Sequence, residues 1–158
     1  MPEGHTLFRL ASELDEAFGG QALRVSSPQG RFDDGAAAVD GHVLDAAESA
    51  GKHVFLRFDD APIVHIHLGL IGHFDIRTGP APDPVGAVRL RLEGDHAYGD
   101  LRGAIVCEVV DEEQMAMIVG KLGPDPLRPD ADPDKAFARI HKSRKAVGAL
   151  LMDQSVLS

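Results

Sequence analysis

His53-Val54-Phe55-Leu56-Arg57-Phe58 is followed, after Asp59-Asp60-Ala61-Pro62, by Ile63-Val64-His65-Ile66-His67-Leu68. Two runs rich in β-branched and aromatic residues thus flank a short turn, and each run is too short for a helix. The same punctuation continues in both directions. Gln21–Ser27, His42–Ser49, His73–Arg77, Ala87–Leu92 and Ala104–Val110 read as further strands. Pro28-Gln29-Gly30, Asp33-Asp34-Gly35, Gly79-Pro80 and Gly94-Asp95 read as turns. Many short strands at this spacing predict an antiparallel sandwich or barrel.

Helices are expected on both sides of the strands. Leu7, Leu10, Ala11, Leu14 and Phe18 fall at helical spacing on one face, and Gly19-Gly20 stops the run. A second helix is predicted from Glu112 to about Leu122, with acids in its first turn and Gly123-Pro124 at its end. The fold class is therefore α+β: an antiparallel β-sandwich flanked by an N-terminal helix and a second helix, followed by a linker and short helices. Residues 1–122 are expected to form the sandwich domain. Residues 123–132 read as a linker stiffened by Pro124, Pro126 and Pro129. Pro133–His141 and Lys145–Gln154 read as short helices, and two such helices bury little. Residues 133–158 are thus expected to be the incomplete start of a helical domain.

Composition bounds the function. The 158 residues include a single cysteine, Cys107, which excludes an internal disulfide framework and a multi-cysteine zinc site. No apolar run has membrane length and no signal-peptide series is visible, so a cytoplasmic location is expected. The net charge of −9 opposes nucleic-acid binding as a whole. The charge is uneven: residues 1–120 carry −11 and residues 121–158 carry +2. From Lys135 to Met152 there is no acid, while Lys135, Arg139, Lys142, Arg144 and Lys145 accumulate. Local patches govern phosphate contact more than the total does.

Several residues carry chemistry. Loss of Met1 would leave Pro2 as a free secondary amine with Glu3 beside it. An α-amino group titrates near pH ~8, far below lysine, and a helix N-terminus disfavours its protonated form. Such an amine attacks a carbonyl carbon and forms an iminium, and Glu3 could protonate a leaving or ring-opening oxygen. On these residues alone, Pro2 reads more readily as a simple helix starter and Glu3 as an ordinary first-turn acid. Were Met1 retained, the Pro2 nitrogen would be an amide without nucleophilicity. Gly51-Lys52 reads as a hairpin turn projecting a lysine. His65 and His67 share one strand face, with no third metal ligand evident. Gly69-Leu70-Ile71-Gly72 puts two bulky apolar residues at a glycine-flanked hairpin tip, suited either to packing or to filling the gap left by an extruded base. Tyr98–Gly103 reads as a loop with a lone arginine, Arg102. Arg144 and Lys145 precede an amphipathic segment, an arrangement that suits phosphate.

These features resemble the Fpg/Nei family of bifunctional DNA glycosylases, on the endonuclease VIII-like side. The matching stretches are Met1-Pro2-Glu3-Gly4, Gly51-Lys52, His67-Leu68-Gly69-Leu70-Ile71-Gly72, Leu122-Gly123-Pro124-Asp125-Pro126-Leu127 and Leu150-Leu151-Met152-Asp153-Gln154. The resemblance implies base-excision repair: removal of oxidised bases from damaged double-stranded DNA through a Schiff base on the N-terminal proline, followed by strand cleavage. It implies Pro2 as nucleophile at the sugar C1′, Glu3 as the acid for ring opening, and Lys52 in base loss and strand cleavage. It further implies His67 at a phosphate, Leu70 as the intercalating wedge, and Arg102 in the loop that reads the opposite base. Arg144 and Lys145 would meet phosphates. His5-Thr6 replaces the family's Pro-Glu, and no aromatic wedge follows Arg102. The family's zinc finger would lie beyond Ser158, so neither metal nor cofactor is expected in this chain, and a fragment of a longer enzyme is expected. A non-catalytic binding module on the same sandwich and an N-terminal-proline tautomerase are the rival readings.

Overall fold

The computed structural model describes residues 4–126 and 131–158. Helix α1 spans Gly4–Phe18 and buries the stripe expected of it, Leu7, Leu10, Ala11, Leu14 and Phe18. Eight strands follow in two antiparallel four-stranded sheets. The first sheet takes β1 (Arg24–Ser26), β6 (Val88–Glu93), β7 (Ala97–Arg102) and β5 (His73–Thr78), in that order. The second takes β2 (Leu44–Ala50), β3 (His53–Phe58), β4 (Ile63–His67) and β8 (Val106–Val110). Alternate residues face the shared core: Val54, Leu56, Val64 and Ile66 from the second sheet meet Leu90, Leu92 and Leu101 from the first. Helix α1 packs against β2, β3 and β5.

Helix α3 (Glu112–Gly120) covers the outer face of the second sheet. Met115 and Ile118 seat on Phe55, Ile63 and Val110 there. A capping box starts α3, with Asp111 accepting from the Gln114 N–H at 2.7 Å and Gln114 accepting from the Asp111 N–H at 2.9 Å. Helices α4 (Pro133–Lys142) and α5 (Val147–Leu151) follow.

The structure adds two elements to those expected from sequence. Helix α2 (Asp33–Val39) replaces the turn expected at Asp33-Asp34-Gly35, and β7 replaces the loop expected at Tyr98–Gly103. It also corrects one connection. Leu68–Gly72 is no hairpin tip, because β4 pairs with β3 and β8 while β5 pairs with β7. The segment is the turn by which the chain leaves one sheet for the other.

Gly123-Pro124 is bound to residues 154–158. The Gly123 N–H donates to the Gln154 carbonyl at 2.8 Å, and the Ser158 hydroxyl donates to the Gly123 carbonyl at 2.8 Å. A Cβ on Gly123 would lie 2.2 Å from the Val156 backbone. Gly123→Ala is therefore expected to displace residues 154–158 and lower stability by about 1–3 kcal/mol, the usual cost of overpacking. Gly120→Ala, with nothing within 4 Å of its Cβ, is expected to be neutral or slightly stabilising. Urea denaturation of the two variants checks both.

Candidate active site

Five segments meet at one end of the sandwich. The first is the start of α1. A Cβ on Gly4 would lie 3.6 Å from the Gly51 carbonyl oxygen and 3.9 Å from the Ser158 carbonyl carbon. The second is the Gly51-Lys52 turn, which joins β2 to β3 across the Ala50–His53 pair. Gly51 takes φ +54°, the left-handed conformation that favours glycine. A Cβ there would also press on the Gln154 Oε1 at 3.1 Å. Gln154, from the chain's end, receives the Lys52 backbone N–H on that same oxygen at 3.3 Å. The sequence placed Lys52 on a turn; what it did not show is that Gln154 and Ser158 brace that turn.

The third segment is His67–Gly72. The Gly69 N–H donates to His67 Nδ1 at 3.1 Å. His67 is thereby the tautomer with its proton on Nε2, leaving an N–H donor for an anion. Burial, His65 and the Lys52 ammonium together hold His67 below the ordinary histidine range. Lys52 and His67 are thus electrostatic neighbours. Leu70 and Ile71 stand 72% and 79% exposed on their turn, as a wedge requires. A hollow lined by Thr6, Leu10, Leu68, Gly72 and Phe74 joins this turn to the first turns of α1.

The fourth is the loop Gly103–Ile105. Ile105 is exposed, and its side chain fills the space where a Gly69 Cβ would sit. It is a second apolar group beside Leu70 that the sequence did not single out, because no aromatic marked it. Arg102, at the end of β7, is held by Asp100 Oδ2 at 2.9 Å and by Asp75 Oδ2 at 3.4 Å. Asp100 is buried and also takes a bidentate pair from Arg91, at 2.7 and 2.9 Å. Burial opposes its ionisation, but the two guanidiniums hold the Asp100 carboxyl below its ordinary range. The fifth segment is the chain end already described. Arg144 and Lys145 are exposed between α4 and α5 and line none of these contacts. Pro2, Glu3 and Leu127 lie outside the described residues. Among the described residues, no cluster of three or more His, Cys, Asp or Glu is arranged to hold a metal ion, and no helix is long and apolar enough to cross a membrane.

Beside the turn, burial pushes the His53 imidazole from its ordinary 6.5 down to about 4, with His67 and His65 adding to the effect. In the unfolded chain His53 takes up its proton at the ordinary pH, so the unfolded state binds more protons between these values. The stability contributed by neutral His53 is therefore complete above about pH 6.5 and is lost as pH falls toward 4. Unfolding midpoints measured from pH 7.5 to 4.5 are expected to fall, and to fall less in His53→Gln.

This arrangement is an antiparallel sandwich whose N-terminal helix starts against a glycine–lysine turn, with an exposed apolar turn alongside. It coincides with the architecture of a solved MutM in complex with carbocyclic 8-oxo-G containing DNA, at a TM-score of 0.82 over 99% of this chain and 64% of that one, with 19% identity. The chain belongs to the formamidopyrimidine-DNA glycosylase N-terminal domain family, whose model matches residues 1–106. It is 51% identical over 162 residues to Endonuclease 8 1 of Mycobacterium tuberculosis. It is 35% identical over 163 residues to the DNA-(apurinic or apyrimidinic site) lyase Nei2 of Mycolicibacterium smegmatis. The whole chain aligns with each, and it spans 60% and 62% of their lengths.

Proposed function

We propose that this chain is the catalytic part of a bifunctional DNA glycosylase and AP lyase of base-excision repair, acting on oxidised bases in double-stranded DNA. Pro2, freed of Met1, attacks C1′ of the damaged nucleotide and displaces the base. Glu3 protonates the sugar ring oxygen as the ring opens, which yields the iminium. Elimination then expels the flanking phosphates, with Lys52 moving protons. His67 donates to a phosphate, and Leu70, with Ile105 beside it, fills the gap left by the extruded nucleotide. Arg144 and Lys145 meet the DNA backbone from the start of the helical region, residues 133–158. A role for Arg102 at the opposite base requires its guanidinium to leave Asp75. The compartment that fits this work is the cytoplasm, at the nucleoid.

The single observation that carries the reading is the contact of the Gly51-Lys52 turn with Gly4. Gly4 follows Pro2 and Glu3 directly in the chain, and the turn it approaches carries Lys52. The names of the relatives, an endonuclease 8 and an abasic-site lyase, agree with that chemistry. The test is borohydride trapping: the full-length protein, freed of Met1, is incubated with a duplex bearing an abasic site. A covalent protein–DNA adduct is expected, and its absence overturns the enzymatic reading.

A further inference from the structure

The outer face of the second sheet changes character along its length. Under α3 it is apolar, with Phe55, Ile63 and Val110. Toward the Gly51-Lys52 turn it becomes a row of imidazoles from His53, His65 and His67. His53 and His67 are cross-strand partners, and His65 lies opposite Glu108 on β8. His65 is buried, and both its ring nitrogens are engaged: Nδ1 with Glu108 Oε1 at 3.0 Å and Nε2 with His53 Nδ1 at 2.9 Å. The His53 ring then meets the His67 ring edge-on, with centroids 4.8 Å apart and planes at 76°.

An ionised carboxylate only accepts, so His65 carries its proton on Nδ1 and offers Nε2 as an acceptor. His53 must then carry its own proton on Nδ1, which leaves its Nε2 bare. One carboxylate at the exposed edge thus dictates the proton positions on two rings in turn. The second of these rings braces His67, and the Gly69 N–H holds His67 from the other side. We propose that Glu108 and His65 are positioning residues, which act through His53 to hold His67 as a neutral N–H donor for a DNA phosphate beside Lys52. The inference rests on the assignment of His67 to a phosphate made above and is independent of Pro2. A purely supporting role for this row would be served by apolar side chains, as it is one step further along the same face.

The test uses the chain labelled with ¹⁵N in its histidines, read by long-range proton–nitrogen correlation. A duplex carrying a tetrahydrofuran abasic-site analogue is then added. The wild-type chain is expected to show Nδ1–H on His65 and His53 and Nε2–H on His67, with the His67 resonances shifting on DNA addition. Glu108→Ala is expected to move the proton of both His65 and His53 to Nε2 and to weaken duplex affinity about five- to tenfold. Glu108→Gln, whose side-chain oxygen still accepts from His65, is expected to restore both. The Glu108 side chain is about half exposed, so neither variant threatens the core. Unchanged tautomers in Glu108→Ala, changed tautomers with unchanged affinity, or a His67 signal indifferent to DNA would each overturn the proposal. None of these readouts depends on covalent trapping, so failure of the lyase chemistry is seen separately.

Discussion

With Met1 retained, the chain is expected to give no adduct with abasic-site DNA, a drop of about 10³-fold or more from loss of the attacking group. The cause is local. An amide nitrogen delocalises its lone pair into the carbonyl and cannot form an iminium, whereas a secondary amine can. The buried stripe of α1 begins at Leu7, and both forms share it. Melting temperatures of the two forms are therefore expected to agree while their trapping differs. Equal trapping by both would mean that some other amine does the chemistry.

Lys52→Met is expected to lower strand cleavage by about 10²–10⁴-fold, the usual contribution of a positioned proton-transfer group. Gln154 binds the backbone N–H of residue 52, a contact that this variant keeps. A second readout separates placement from catalysis. The Lys52 ammonium helps to hold His67 below the ordinary histidine range. Removing it is expected to raise the His67 titration midpoint, followed by NMR of the ring protons. If cleavage fell while His67 titrated as before, Lys52 would be acting away from this site.

Much of this arrangement was legible in the sequence, and the exceptions have physical reasons. The α1 stripe and the runs at 53–58 and 63–67 were readable because burial on fixed faces leaves a period in the residues. Strand β7 was not readable, because Gly99, Asp100 and Arg102 look like a loop. In three dimensions Arg91 and Arg102 satisfy Asp100, and Gly99 leaves room for the Phe74 ring, which a Cβ would meet at 2.6 Å. Helix α2 was hidden for a similar reason. Gly35 reads as a turn residue, yet it is small because the Phe32 ring lies over it, 2.2 Å from where a Cβ would be. At the candidate site, the Gly51-Lys52 turn and the apolar Leu70-Ile71 pair could be read from local pattern, whereas the phosphate role of His67 came only from the family resemblance. The Glu108–His65–His53 line could not, since it depends on the register of three strands. The bracing of the Lys52 turn by Gln154 joins positions 102 residues apart, and no local pattern carries such a contact.

The central claim is that the amine at the front of α1 is the nucleophile and that Lys52 serves it. Peptide mapping of the borohydride-reduced adduct by tandem mass spectrometry tests this most directly. The sugar remnant is predicted on the nitrogen of Pro2, in the peptide that starts there. A remnant on the Lys52 Nζ, with Pro2 unmodified, would contradict the account.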